Sequence, residues 1–158
     1  MSPDADQTAD AHTDQGTNQM TGTQRRLTLR GVTDPVGAGR DFARLTLKEW
    51  SWPPAGDGVS PLLAGDVALV VSELLTNAAL HGNGPVELVL RLSGQAVLRI
   101  EVADTDPGVP EPRQPHQPGV PGGHGLHIVE KICDSWGVEP HADGKTVWSE
   151  IRPGGALR

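Results

Sequence analysis

The stretch Val71–Gly82, VSELLTNAALHG, is the part of the chain whose reading settles how the rest must pack. At about 100° of rotation per residue, Val67, Val71, Leu74 and Ala78 share one sector of a helix, with Val70 and Leu75 on its flanks. A helix of this kind belongs in a core. Yet Glu73, Asn77 and His81 follow one another at four-residue steps, drifting only about 40° per step along one border of the apolar sector. A carboxylate and an amide at the edge of a core lose part of their hydration, so each needs a partner. Read from the helix alone, the stripe serves equally well as a solvated flank ending in a histidine.

Around this helix, which extends from about Leu62 to Leu80, the other elements fall into place. Upstream, RRLTLRG (Arg25–Gly31) alternates as a strand does. DPVGAGRDFARLTLKEW then sets Val36, Phe42, Leu45 and Trp50 near helical spacing, with Asp34 as cap before Pro35. SWPPAGDGVS is a loop by its prolines and glycines. Downstream, PVELVLRLSG and QAVLRIEVAD form a hairpin around Ser93-Gly94, and TDPGVPEPRQPHQPGVPGG is a long loop. HGLHIVEKICDSW restores a helical period through Leu126, Val129, Ile132 and Cys133, and GKTVWSEIR closes the chain as a strand after a turn at Asp143-Gly144. The order is strand, helix, helix, hairpin, loop, helix, strand. Helices gathered on one face of a mixed, mostly antiparallel sheet make a two-layer α/β sandwich.

Composition narrows the function classes. A chain of 158 residues suits one domain. The boundaries expected are a disordered acidic tail over residues 1–23, a folded unit over 24–152 and a flexible segment over 153–158. The single cysteine, Cys133, permits no internal disulfide and fits a reducing, cytoplasmic compartment. The N-terminal residues lack the basic start and apolar stretch of a signal peptide, and no apolar run approaches the roughly 20 residues that span a bilayer. Net charge is −7, and no basic stripe or aromatic-basic platform appears, which argues against direct nucleic-acid binding.

Two further features carry chemistry. In IEVADTDPG, Asp104 ends an apolar strand just before a turn containing Pro107 and Gly108; held there, it can accept a hydrogen bond from an exocyclic amine. Asp at a strand end is more often simply a turn former. In PGGHGLHIVEK, Gly122, Gly123 and Gly125 precede an amphipathic helix, where free N–H groups attract anions such as phosphate. A glycine cluster alone discriminates poorly; the order of the features carries more.

That order resembles the ATP-binding fold shared by DNA gyrase, histidine kinases and the heat-shock chaperone ATPases. Within that superfamily the likeness is to the bacterial anti-sigma-factor serine-protein kinases and their actinobacterial relatives, over roughly residues 25–151. SELLTNAALHG resembles the family's N box, DTDPG its first glycine box and GGHGLHIVEK its second; DSWGVEP and GKTVWSEI resemble its closing segments. The resemblance implies Mg-ATP binding. It makes Glu73 the acid that orients or deprotonates an attacking hydroxyl, Asn77 the Mg²⁺ ligand and His81 a residue near the phosphates. It makes Asp104 the acceptor for the adenine amine, and Gly108, Gly123 and Gly125 the positions of close backbone approach. Thr146 becomes the strand residue beside adenine. It further implies a sigma factor and an anti-anti-sigma protein of the STAS type as partners, with a homodimer possible, and serine/threonine-protein kinase activity. A nucleotide-responsive module that binds without catalysis, or a scaffold that has lost nucleotide binding, is the alternative in bacterial transcriptional regulation. The first box departs from the family pattern, Asp-x-Gly-x-Gly, because its middle glycine is Asp106 here.

His124, His127, Cys133 and His141 lack the paired framework of a zinc site, and Cys133 sits at a core spacing. Trp136 and Trp148 belong to the last hairpin as core or interface residues; Trp50 and Trp52 either pack the same core or face a partner.

Overall fold

The computed structural model describes residues 23–108 and 123–154, so the expected tail, its last residue apart, and most of the Pro-rich loop, Arg113 included, lie outside the described residues. The elements run β1 (Thr23–Thr28), α1 (Pro35–Glu49), α2 (Leu63–His81), β2 (Pro85–Leu92), β3 (Leu98–Asp104), α3 (Gly123–Ile132), β4 (Ser135–His141) and β5 (Gly144–Ile151). α1 starts where the sequence predicts: the Asp34 carboxylate accepts the Gly37 N–H at 3.0 Å, and Pro35 fills a first-turn position that needs no donor.

α2 lies between α1 and α3 and presses on the sheet. Val67, Val70, Val71, Leu74 and Leu75 are fully buried, which is what the apolar sector requires. This 19-residue helix is long and apolar enough to cross a membrane by length and composition alone, contrary to the expectation that no apolar run comes close. Its apolar side is instead buried in the protein core, together with Leu88, Leu90, Leu98, Ile100 and Val147.

The sheet has the order β1-β2-β3-β5-β4, and all of its pairings are antiparallel, so the parallel component allowed for by "mixed" is not found among the described residues. Side chains alternate cleanly. Leu98, Ile100, Val102 and Asp104 of β3, with Lys145, Val147, Ser149 and Ile151 of β5, are buried under the helices. The opposite face carries Arg91, Arg99 and Glu101, and the Arg99 guanidinium lies 4.3 Å from the centre of the Trp148 ring.

Two readings change. β4 is a strand the order above lacks, and α3 stops at Ile132, with Cys133 still donating to the Val129 carbonyl at 2.9 Å. β4 hides because it is an outer strand holding Gly137 and Pro140, residues that a periodicity search takes for a loop. Gly137 faces Trp148 across the ladder, and a β-carbon there would come within 2.7 Å of the indole. The tryptophans also divide. Trp52 is buried and its indole N–H donates to the Ala96 carbonyl at 2.8 Å, whereas Trp148 lies on the face away from the helices.

Candidate functional site

The polar border of α2 is deepest at its middle. Glu73 is half-buried and Asn77 is only 4% exposed, while His81, the last residue of the helix, is exposed. The Asn77 side-chain amide has no hydrogen-bond partner among the described residues. A buried amide in that state has unused bonding capacity.

Immediately after His81, Gly82 closes the helix by donating its N–H to the Ala78 carbonyl at 2.9 Å, and Asp104 packs against it. A β-carbon on Gly82 would stand 2.5 Å from Asp104 Oδ2 and 2.6 Å from Cγ, so only glycine lets the carboxylate in. Asp104 is 4% exposed. Its Oδ1 accepts the Asp106 N–H at 2.9 Å and the Lys145 ammonium at 3.0 Å. The same ammonium donates to the Asp106 carbonyl at 2.8 Å. Oδ2 is buried and has no hydrogen-bond partner among the described residues.

The turn beyond β3 is therefore held from two sides. Asp106, which stands where the family pattern has glycine, folds its own carboxylate onto the Gly108 N–H at 2.7 Å, a local side-chain-to-backbone closure. From the other side β5 begins at Gly144, where a β-carbon would sit 2.0 Å from the Asp104 carbonyl oxygen and 2.7 Å from Thr105 Cα. Backbone approach that close, at φ +149°, requires glycine.

The structure brings Asp104 to the end of the helix that carries Glu73 and Asn77. α3, with Gly123 at its first position and Gly125 in its first turn, packs along α2, and its opening N–H groups have no carbonyl of their own helix to bond. Gly108 lies at the end of the described turn, and Gly122 lies outside the described residues. Thr146 is the exception. It points to the opposite face of the sheet and pairs with His141 Nε2 at 2.7 Å, because Asp104 is in register with Lys145 and a shift of one residue along a strand exchanges faces. The inward neighbour of Asp104 is Lys145, not Thr146.

Lys145, Gly82 and Gly144 are the site residues that sequence reasoning missed. The signal for Lys145 was present: Val147 and Ile151 fix the inward parity of β5, and Lys145 shares it. A lysine at an inward position implies a buried anion to meet it.

The donors and acceptors fit a nucleotide. A buried carboxylate oxygen with unused lone pairs suits an exocyclic amine, a carbonyl-type oxygen on Asn77 suits a hard cation such as Mg²⁺, and a glycine-led helix start suits phosphate.

Comparison with known proteins bears on the family and the fold. The family model described as histidine kinase-like ATPase domain matches residues 40–150. A crystal structure of the RsbU and RsbW domains of Rv1364c from Mycobacterium tuberculosis superposes with a TM-score of 0.58 at 19% identity, over 82% of this chain and 32% of that one. This chain thus spans about a third of that protein's length, and the likeness is one of fold. The histidine kinase domain of the Erythrobacter litoralis EL346 blue-light activated histidine kinase matches with a TM-score of 0.43 at 21% identity, over 75% of each chain. A longer structure of the same kinase gives 0.46 at 23% identity, over 75% of this chain and 42% of that one. No curated protein sequence matches.

Proposed function

The chain belongs to the histidine kinase-like ATPase domain family, and from that premise we propose that it is a Mg-ATP-binding regulatory protein, a serine/threonine-protein kinase of the anti-sigma-factor type. In this reading it acts in the cytoplasm, as a monomer or homodimer. It sequesters a sigma factor and phosphorylates a hydroxyl on an anti-anti-sigma protein of the STAS type.

The observation that carries the nucleotide part is the unpartnered Asp104 Oδ2, buried against the glycine that ends the helix bearing Glu73 and Asn77. ATP with Mg²⁺ supplies the phosphoryl group to be transferred. Asn77 offers its amide oxygen to the cation, and the N–H groups at the start of α3 receive phosphate oxygens. Gly108, Gly123 and Gly125 allow the backbone to come near, and His81 stands at the exposed end of α2 on the phosphate side. Glu73, one helical turn before Asn77 and half open to solvent, is placed to accept the proton of an incoming serine or threonine hydroxyl. Buried Asp104 accepts the amine of the base.

Incubation with labelled ATP and candidate antagonist proteins tests the kinase reading. Label should reach a serine or threonine of the antagonist, and Glu73→Ala should abolish it. No transfer to any antagonist, or transfer unchanged in Glu73→Ala, removes the claim. One observation favours a second reading, a nucleotide-responsive module without catalysis: the first box replaces its middle glycine with Asp106, whose side chain closes the turn. Tight ATP binding without phosphoryl transfer distinguishes it.

A further inference from the structure

Five large apolar side chains stand exposed among the described residues: Val32, Leu45, Leu62, Leu69 and Leu80. Leu69 and Leu80 belong to α2, and Leu62 directly precedes it with a backbone that is already helical, at φ −87° and ψ −4°. At about 100° per residue, these three leucines fall within about 20° of one another, on the side turned away from the buried Val67, Val71 and Leu74. Glu73 lies in the same row. Leu69 precedes it by about 6 Å along the axis and Leu80 follows it by about 10 Å. A single exposed leucine is ordinary, but three in one row, 71%, 41% and 55% exposed, mark a surface that another molecule covers.

The row surrounds the carboxylate that the reading above makes the proton acceptor. A hydroxyl must come within hydrogen-bond reach of that carboxylate to give up its proton, so whatever carries it rests on α2 along this line. Water or a small alcohol gains nothing from the leucines, whereas a protein that carries the serine or threonine gains apolar burial from each one it covers. The charge is one-sided as well, because the row holds Asp66 and Glu73 while α2 has no Lys or Arg. We propose that Leu62, Leu69 and Leu80 are the docking surface for the phosphoacceptor protein. That protein sets its hydroxyl against Glu73, lays apolar side chains on the leucines and turns a basic side chain to Asp66. The inference rests on the kinase reading above and adds the surface that selects the acceptor.

The test follows transfer of labelled phosphate from Mg-ATP to purified antagonist proteins of the STAS type by the full chain, at varied acceptor concentration. Leu62→Lys and Leu69→Lys should each raise the KM for the acceptor about tenfold or more, the scale of one leucine side chain left uncovered, with kcat and ATP affinity held. Leu80→Lys should shift KM in the same direction. Leu45→Lys, on α1 at a side chain 68% exposed and outside the row, should leave KM unchanged. Asp66→Lys, which alters no leucine, should also raise KM, and it supplies the reading if a leucine variant does not fold, as thermal unfolding will reveal. Variants that keep the wild-type KM, or that lose ATP affinity or kcat instead, overturn the docking surface while the kinase reading stands. A wild-type dimer in sedimentation that Leu69→Lys splits with KM unchanged overturns it too, because the row then seats a second copy. No label on any antagonist from the wild-type chain removes the kinase reading, and this inference with it.

Discussion

The two faces of the sheet carry the same kinds of charge in opposite circumstances. On the helix side, Lys145 and Asp104 form one ion pair at 3.0 Å with side chains 3% and 1% exposed. On the other side, Arg99 reaches Glu101, Glu139 and Glu150 at 2.9–3.2 Å, with Glu139 54% exposed, while Arg91 also holds Glu101. The outer network stays in contact with water, from 14% exposure at Glu101 to 54% at Glu139, so its outermost pair, Arg99 with Glu139, contributes little. The inner pair has no such contact. Its members were stripped of water on folding, and each depends on the other. The number of ion pairs says little about either face; burial separates a network that decorates the sheet from a pair that shapes a site.

Breaking the inner pair should have the largest effect. Asp104→Ala leaves the Lys145 ammonium buried and unpaired, and we expect a loss of about 3–5 kcal/mol in urea unfolding. Replacing both partners with apolar residues, Asp104→Val with Lys145→Met, should give a protein closer to wild type in stability than Asp104→Ala is. A double variant less stable than the single one would refute this account of the pair.

Next comes Glu73→Gln, which acts on chemistry rather than on the pair. Phosphoryl transfer should drop about 10²–10⁴-fold, the usual contribution of a general base, with ATP affinity held. Gly144→Ala should cost about 1–3 kcal/mol, because its new methyl group would press on the Asp104 carbonyl and displace the turn from the inside. Glu139→Ala, on the outer face, is the smallest. It should cost less than about 1 kcal/mol, fade further with salt and leave nucleotide binding unchanged. An outer-face variant as damaging as Asp104→Ala would erase the contrast between the faces.

What could be read from the sequence follows from the same contrast. α1 announced itself through Asp34 and Pro35, and the buried sector of α2 through its spacing, because helix caps and apolar periods are local signals. Asn77 and Asp104 stood out as polar residues joined to apolar runs, and both are buried. Thr146 was misplaced because its role depends on register, which only pairing with β3 fixes; the inward parity of Val147 and Ile151 would have pointed to Lys145. β4 was legible only at Trp136, for another reason. An outer strand that contains Gly137 and Pro140 has no inward alternation to display, and the glycine is needed by the Trp148 ring rather than by a turn. Gly82 and Gly144 earn their places through contacts with one distant carboxylate and its carbonyl, which no window of sequence contains.

The most direct test of the central claim is a calorimetric titration of the full chain with ATP in the presence of Mg²⁺, run beside Asn77→Ala. Saturable binding of one nucleotide per chain, sharply weakened in the variant, is the predicted result. A flat trace for the wild-type chain, or binding that Asn77→Ala leaves untouched, would contradict it.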